Sequence, residues 1–107
     1  MLNYLKEKKR EIKKQVKKLE LEPMEIAVLK VMHSRSVYGG HHKQLETVMK
    51  SGFPKHELKN VKNAIYSLIK KGYVRWYHRA DESIQLNKDR YQEIGEIIKK
   101  SIENELN

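Results

Sequence analysis

A series of hydrogen-bond donors and short amides follows Pro54 at helical spacing. The series comprises His56, Lys59, Asn60, Asn63, Ser67 and Lys70. An asparagine amide can bond to adenine in two ways, and a lysine ammonium can reach guanine or a phosphate. Side chains of these types on one side of a helix predict hydrogen bonds to base edges in the major groove of DNA.

The other side of the same segment is apolar. Leu58, Val61, Ile65 and Leu68 recur at steps of three and four residues, which is the period of one buried helical face. This spacing predicts a helix over residues 54–71. Gly72 is expected to end it, because glycine tolerates the left-handed conformation that often follows a helix.

A β-hairpin is predicted directly after this helix, over residues 73–86. Residues 73–78 are rich in aromatic and β-branched types, and residues 83–86 alternate polar with apolar, as strands do. We expect Arg75, Tyr77 and Arg79 to face outward, toward a duplex backbone. Asp81 and Glu82 at the tip would be repelled by phosphate, so the stem of this wing, more than its tip, is the expected contact surface.

The positive charge is concentrated in the first three-quarters of the chain, whose formal net charge is +9. Residues 23–80 hold eleven lysines and arginines against three acids, and residues 1–22 hold eight against four. Residues 81–107 reverse the balance, with four against seven. This distribution indicates a basic face for phosphates and a separate face for another contact.

Two further helices are predicted ahead of the recognition segment, at residues 24–35 and 41–50. Pro23 suits the first turn of the earlier helix, which is apolar on most sides and is expected to be the most buried. Val37 and Tyr38 could form a short strand beside the hairpin. Together these elements predict a domain over residues 23–87 with a three-helix core and a wing.

Both ends of the chain carry an amphipathic pattern. Residues 1–22 predict a basic helix with a narrow apolar seam, and residues 88–107 predict a helix that Asn87 caps. Such stripes need a partner, which could be the domain itself, the other terminal helix or a second copy. The residues expected at a homodimer interface are Leu5, Ile12, Leu19, Tyr91, Ile94, Ile98 and Ile102.

Several classes of function lack their sequence signals. The longest apolar run is the four residues 26–29, too short to span a membrane, and the N-terminal residues do not form a signal peptide. There is no cysteine, no phosphate-binding glycine loop and no histidine spacing typical of zinc. We therefore expect a cytoplasmic protein that is not an enzyme and has no metal, cofactor or membrane partner.

Residues 61–74 resemble many prokaryotic winged-helix regulators. The likeness rests on an order of residue types: a valine, a small and an aliphatic residue three and four positions later, a leucine, and then a glycine followed by a strand. The MarR-like and PadR-like groups and archaeal winged-helix proteins are similar here, and the likeness covers about residues 24–87. It implies a winged helix-turn-helix fold in which the third helix enters the major groove, the wing touches the backbone or minor groove, and terminal helices dimerise.

Two functions from different classes therefore remain. The first is a dimeric transcriptional regulator that binds double-stranded DNA. The second is a winged-helix module that binds RNA or docks another protein within a replication, transcription or RNA-processing assembly. The long connection at residues 50–55 and the acidic wing tip depart from the regulator pattern and keep the second interpretation open.

Overall fold

The structure is a computed structural model that describes residues 21–38 and 41–106 of the 107-residue chain. In chain order its elements are α1 (Pro23–Ser34), β1 (Lys43–Gln44), α2 (Leu45–Lys50), α3 (Leu58–Lys71), β2 (Val74–His78), β3 (Ser83–Leu86) and α4 (Tyr91–Leu106). Short 3₁₀ turns at Lys55–Glu57 and Lys88–Arg90 precede α3 and α4. The predicted N-terminal helix, with Leu5, Ile12 and Leu19, lies outside the described residues.

The fold is mainly helical with a small antiparallel sheet, as the sequence predicts. The sheet has the strand order β1-β3-β2, so the predicted hairpin (β2 and β3) gains a third strand. Lys43 and Gln44 pair with Ile84 and Ser83 of β3. Because these two residues are extended, α2 begins only at Leu45, and the helix predicted over residues 41–50 is wrong in its first turn.

The segment before β1 also meets the hairpin. The backbone N–H of Leu86 donates to the carbonyl of Val37 at 2.8 Å, and Tyr38 forms an isolated parallel bridge with Leu86. This confirms the predicted contact of Val37 and Tyr38 with the hairpin, although it amounts to one bridge.

A single core joins the helices to one face of the sheet. Its fully buried side chains come from the four helices and from β2 and β3, and they include Leu29, Met32, Leu45, Ile65, Leu68, Val74, Ile84, Leu86 and Ile94. Burying one such side chain contributes roughly 1.5–3 kcal/mol. The core therefore fixes which face of α3 points inward and which is left for solvent.

The C-terminal end of α3 is tied to the start of α4. Gly72 closes α3 in the left-handed conformation, at φ 88°, as predicted. The side-chain amide of Asn87 donates to the Gly72 carbonyl at 2.9 Å, while its oxygen accepts from the N–H of Asp89 at 3.0 Å. Arg90 donates to the carbonyl of Lys71 at 2.9 Å. These bonds satisfy carbonyls that a helix end leaves unpaired, and they hold α3 and the hairpin in a fixed relation.

Candidate nucleic-acid interface

The outward face of α3 is basic and contains no carboxylate. Lys59, Lys62, Asn63, Tyr66 and Lys70 are exposed on it, and Leu58–Lys71 includes no acidic residue. Lys59, Lys62 and Lys70 form no ion pair with any residue that the structure describes. Their ammonium groups can therefore meet an external anion, and Asn63 lies beside them with no hydrogen bond from its side chain to a described residue.

Two of the predicted contact residues lie near a carboxylate at the start of α3. The side-chain amide of Asn60 donates to Glu57 Oε2 at 3.0 Å, and His56 Nε2 lies 3.7 Å from Glu57 Oε1. Glu57 therefore partly neutralises this end of the helix. The positive part of the face begins with Lys59 and continues toward Lys70.

Ser67 does not belong to the outward face. Its hydroxyl donates to Glu25 Oε2 of α1 at 2.9 Å, so it holds two helices together and is not free to read a base. The sequence placed it with the other polar residues of α3, but it lies at the edge of that set, where α3 meets α1. This corrects the expectation that Ser67 contacts DNA.

Glu25 is the buried centre of this helix-to-helix contact. Its side chain is 2% exposed and accepts from Ser67, from Lys71 Nζ at 2.9 Å and from the backbone N–H of Glu22 at 2.9 Å. Burial alone would raise the pKa of the Glu25 carboxyl, but these hydrogen bonds and the Lys71 charge outweigh it and lower the pKa below 4.5. The carboxylate stays ionised and fixes how α3 is presented.

A contact between two tilted aromatic rings, with planes at 56°, links the outward face of α3 to the hairpin. The ring of Tyr66 lies 5.9 Å from that of Trp76 on β2, and the Arg79 guanidinium carbon lies 6.0 Å from the Trp76 ring centroid. Trp76 also packs against the core, so it is not free to stack on a base. Because these three side chains follow one another, Arg79 continues the basic surface of α3.

The other two predicted wing residues already have partners. Arg75 donates to Asp89 Oδ2 at 3.2 Å across a solvent-exposed pair. Tyr77 stacks on His42, with ring centroids 4.0 Å apart and planes at 10°. Exposed ion pairs of this type contribute little energy, so Arg75 can exchange Asp89 for a phosphate, whereas Tyr77 serves mainly as a packing residue.

His42 is a wing component that the sequence did not reveal. It precedes β1, and the pairing of β1 with β3 brings it beside Tyr77 and His78, whose ring lies 6.4 Å away. No signal in the sequence predicts this contact, because Lys43–Gln44 is too short to be predicted as a strand. The register of β2 shifts between Trp76 and His78, which places Tyr77 in a bulge.

The acidic tip of the wing is partly turned to its own backbone. Asp81 accepts from the N–H of Ser83 at 3.1 Å. Hydrogen bonds from Ser83 lower the pKa of Asp81, and the nearby His78 and His42 lower it further. Glu82 occupies a left-handed conformation, at φ 55°, and its carbonyl accepts from the N–H of Leu45. The tip is thus built as a tight turn.

The predicted dimer residues of α4 separate into two groups. Ile94 and Ile98 are 0% and 9% exposed because they pack into the core of their own chain, so the expectation that they face a second copy is corrected. Ile102 and Tyr91 remain exposed, at 46% and 55%. The ring of Tyr91 lies 5.0 Å from that of Tyr38.

Tyr38 is part of a small aromatic cluster beside α4. Its hydroxyl lies 2.9 Å from His33 Nδ1, and burial, with a smaller effect from Tyr91, raises the pKa of Tyr38 to about 12. The hydroxyl therefore keeps its proton at physiological pH. We interpret this cluster as packing between α1 and α4.

Within residues 21–38 and 41–106, no group of three or more histidine or carboxylate side chains could hold a metal ion. None of the helices in that part of the chain is long and apolar enough to cross a membrane. No family model, curated protein or solved structure matches the chain.

Proposed function

We propose that this chain is a DNA-binding protein of the winged helix-turn-helix type, acting as a transcriptional regulator without enzymatic activity. The observation that carries the proposal is the outward face of α3, where three lysines without ion pairs among the described residues flank Asn63. A 14-residue helix is about 21 Å long, and the major groove is wide enough to admit it.

In this proposal the residues of α3 have separate roles. Asn63 reads a base edge, because its amide can both donate and accept. Lys59, Lys62 and Lys70 contact phosphates. Arg79 binds the phosphate backbone of the DNA, since its contact with Trp76, which in turn contacts Tyr66, holds it beside α3. Arg75 also binds a phosphate once its ion pair with Asp89 opens.

The role of Asn63 can be separated from that of Lys59 by substitution. We expect Asn63→Ala to weaken binding to a selected site by roughly 5- to 100-fold, which corresponds to about 1–3 kcal/mol. Lys59→Ala should weaken selected and random duplexes alike, because a phosphate contact carries no sequence information. Fluorescence anisotropy on fragments selected from genomic DNA measures both effects.

A matched control is Lys99→Ala. Lys99 is an exposed lysine of α4, so its removal changes the net charge equally but leaves α3 untouched. Binding that is unchanged in Asn63→Ala and Lys59→Ala would remove α3 from the recognition role. Equal binding of duplex RNA, or none of either duplex, would favour the RNA-binding or protein-docking interpretation.

A homodimer is part of the proposal, although fewer residues are available for its interface than the sequence predicts. Among the described side chains of α4, Tyr91 and Ile102 are the large apolar ones that are exposed. Light scattering at high micromolar concentration tests the dimer, and a monomer under those conditions would contradict it.

A further inference from the structure

A groove of about 540 Å³ runs between α1 and α4, on elements that the proposed DNA contact does not use. Its apolar part is formed by Ile26, Ala27 and Ile97, all of them partly exposed. The salt bridge between Lys30 and Glu105, at 2.9 Å, lies at one end, and Pro23 lines the groove as well. None of the residues that the structure describes covers this apolar strip between the two helices.

We propose that this groove is filled by residues 2–20 of the same chain, packed as an amphipathic helix against α1 and α4. The apolar seam of that segment, Leu5, Ile12, Val16 and Leu19, is narrow, as is the strip formed by Ile26, Ala27 and Ile97. The seam of residues 2–20 alone would not stabilise a helix, because it needs a complementary apolar surface.

Charge complementarity supports this occupant. Residues 1–20 carry eight lysines and arginines against three acids. Glu93, Glu96 and Glu105 line the groove against Lys30 and Lys100, and Glu96 has no ion pair with any described residue. A basic helix would meet the carboxylates on the α4 side of the groove, although each exposed pair contributes little. These charges therefore determine how the helix of residues 2–20 is oriented in the groove more than how tightly it binds there.

The connection along the chain favours the same molecule over a second copy. Leu21 packs against the core and Pro23 lines the groove, so the segment ends at the groove itself. A link of two residues gives an effective concentration in the millimolar range. A helix of 19 residues would be about 28 Å long, against about 24 Å for the 16 residues of α4.

Disulfide trapping tests the contact directly, because the chain has no cysteine of its own. Val16 and Ala27 lie at equal distances from the link in the sequence, so antiparallel packing brings them together. In the full-length Val16→Cys/Ala27→Cys protein, mild oxidation should give an intramolecular disulfide at a yield at least five times that of Val16→Cys/Lys59→Cys. Lys59 is the control because it lies on the outward face of α3.

The two other outcomes overturn the proposal. A disulfide-linked dimer in the Ala27 pair would place the segment of a second copy in the groove. An intramolecular yield equal to that of the Lys59 control would mean that the segment does not occupy it. Non-reducing electrophoresis with mass spectrometry of the tryptic peptides separates these results.

A second comparison uses the many trypsin sites of the segment. We expect Ile97→Lys, within the groove, to speed cleavage in residues 1–20 by at least tenfold, because it places a charge on the apolar strip. Gln92→Lys, at an exposed position of the same helix outside the groove lining, should leave the rate unchanged. Equal rates in the parent protein and both variants would contradict the proposal. Circular dichroism checks folding, and the disulfide comparison decides if Ile97→Lys does not fold.

Discussion

At the scale of single residues, the buried carboxylate of Glu25 does most to fix the candidate interface. It accepts bonds from Ser67 and Lys71 of α3 and from the backbone of Glu22. A buried charge is tolerable only when it is paired and hydrogen-bonded. The orientation of α3 therefore depends on a residue that never meets the proposed ligand.

Glu25→Gln should lower the free energy of unfolding at pH 7 by about 1.5–3 kcal/mol, since hydrogen bonds to a charged group are lost. The pKa of Glu25 is lowered by folding, so its stabilising effect is present above pH 4.5 and is lost as the pH falls through the folded-state value. Urea unfolding at pH 7 and pH 3.5 measures this. The difference between parent and variant should shrink at the lower pH.

Glu103→Gln is the control for that measurement, because Glu103 is an exposed residue of α4. Its stability should match that of the parent protein at both pH values. A Glu25→Gln protein as stable as Glu103→Gln at pH 7 would contradict the role given to Glu25.

Replacing Gly72 or Gly95 by alanine is expected to change the stability of the protein in opposite directions. Gly72 lies at φ 88°, where a side chain costs roughly 1–2 kcal/mol, so Gly72→Ala should destabilise the protein by about that much. Gly95 lies within α4, and no described atom beyond its own stretch of helix lies within 4 Å of an added Cβ, so Gly95→Ala should stabilise the protein by about 0.5–1 kcal/mol. Chemical denaturation distinguishes them. A Gly72→Ala protein as stable as the parent, or a Gly95→Ala protein less stable than the parent, would contradict these expectations.

At the scale of elements, α3 has one face for folding and one for the proposed contact. The buried face of α3 and its end at Gly72 could be predicted from the sequence, because the spacing of apolar residues and a glycine after a helix are local signals. The position of Ser67 did not, because it depends on Glu25, a residue 42 positions away. A helical wheel cannot distinguish a polar residue that faces solvent from one that bonds to a neighbouring helix.

The two faces can be separated by one pair of substitutions on α3. Ser67→Ala should reduce stability by about 1 kcal/mol through the lost bond to Glu25 and leave DNA affinity unchanged. Lys70→Ala should weaken DNA binding and leave stability unchanged, since Lys70 is exposed and makes no ion pair with the described residues. Thermal unfolding and anisotropy on the same preparations measure both. A loss of affinity in Ser67→Ala with unchanged stability would return Ser67 to the reading face.

The hairpin shows the same division between local and distant information. The strands β2 and β3 were predictable from their composition and alternation. The third strand was not, because Lys43–Gln44 forms it only by pairing with Ile84 and Ser83. The stacking of His42 on Tyr77 depends on that pairing, so this part of the wing could not be read from the sequence.

At the scale of the whole molecule, the described chain has two surfaces of different chemistry. The outward face of α3 and Arg79 is basic, and the groove between α1 and α4 is apolar with glutamates along it. The charge distribution of the sequence indicated two such faces. It did not show that Ile94 and Ile98 would be used inside the chain, because an amphipathic stripe looks the same whether its partner is its own core or a second copy.

The central claim, that the lysines of α3 and the arginines of the wing bind DNA phosphates, is tested most directly by the salt dependence of binding. Contacts from Lys59, Lys62, Lys70, Arg75 and Arg79 to five phosphates predict a slope of log K against log salt concentration of about −4.5. Between 50 and 200 mM salt the affinity should therefore fall by roughly 500-fold. In the Lys59→Ala/Lys62→Ala/Lys70→Ala protein, which keeps the two arginines, the slope should drop to about −1.8. A slope that is the same in the parent and triple variant would contradict the claim.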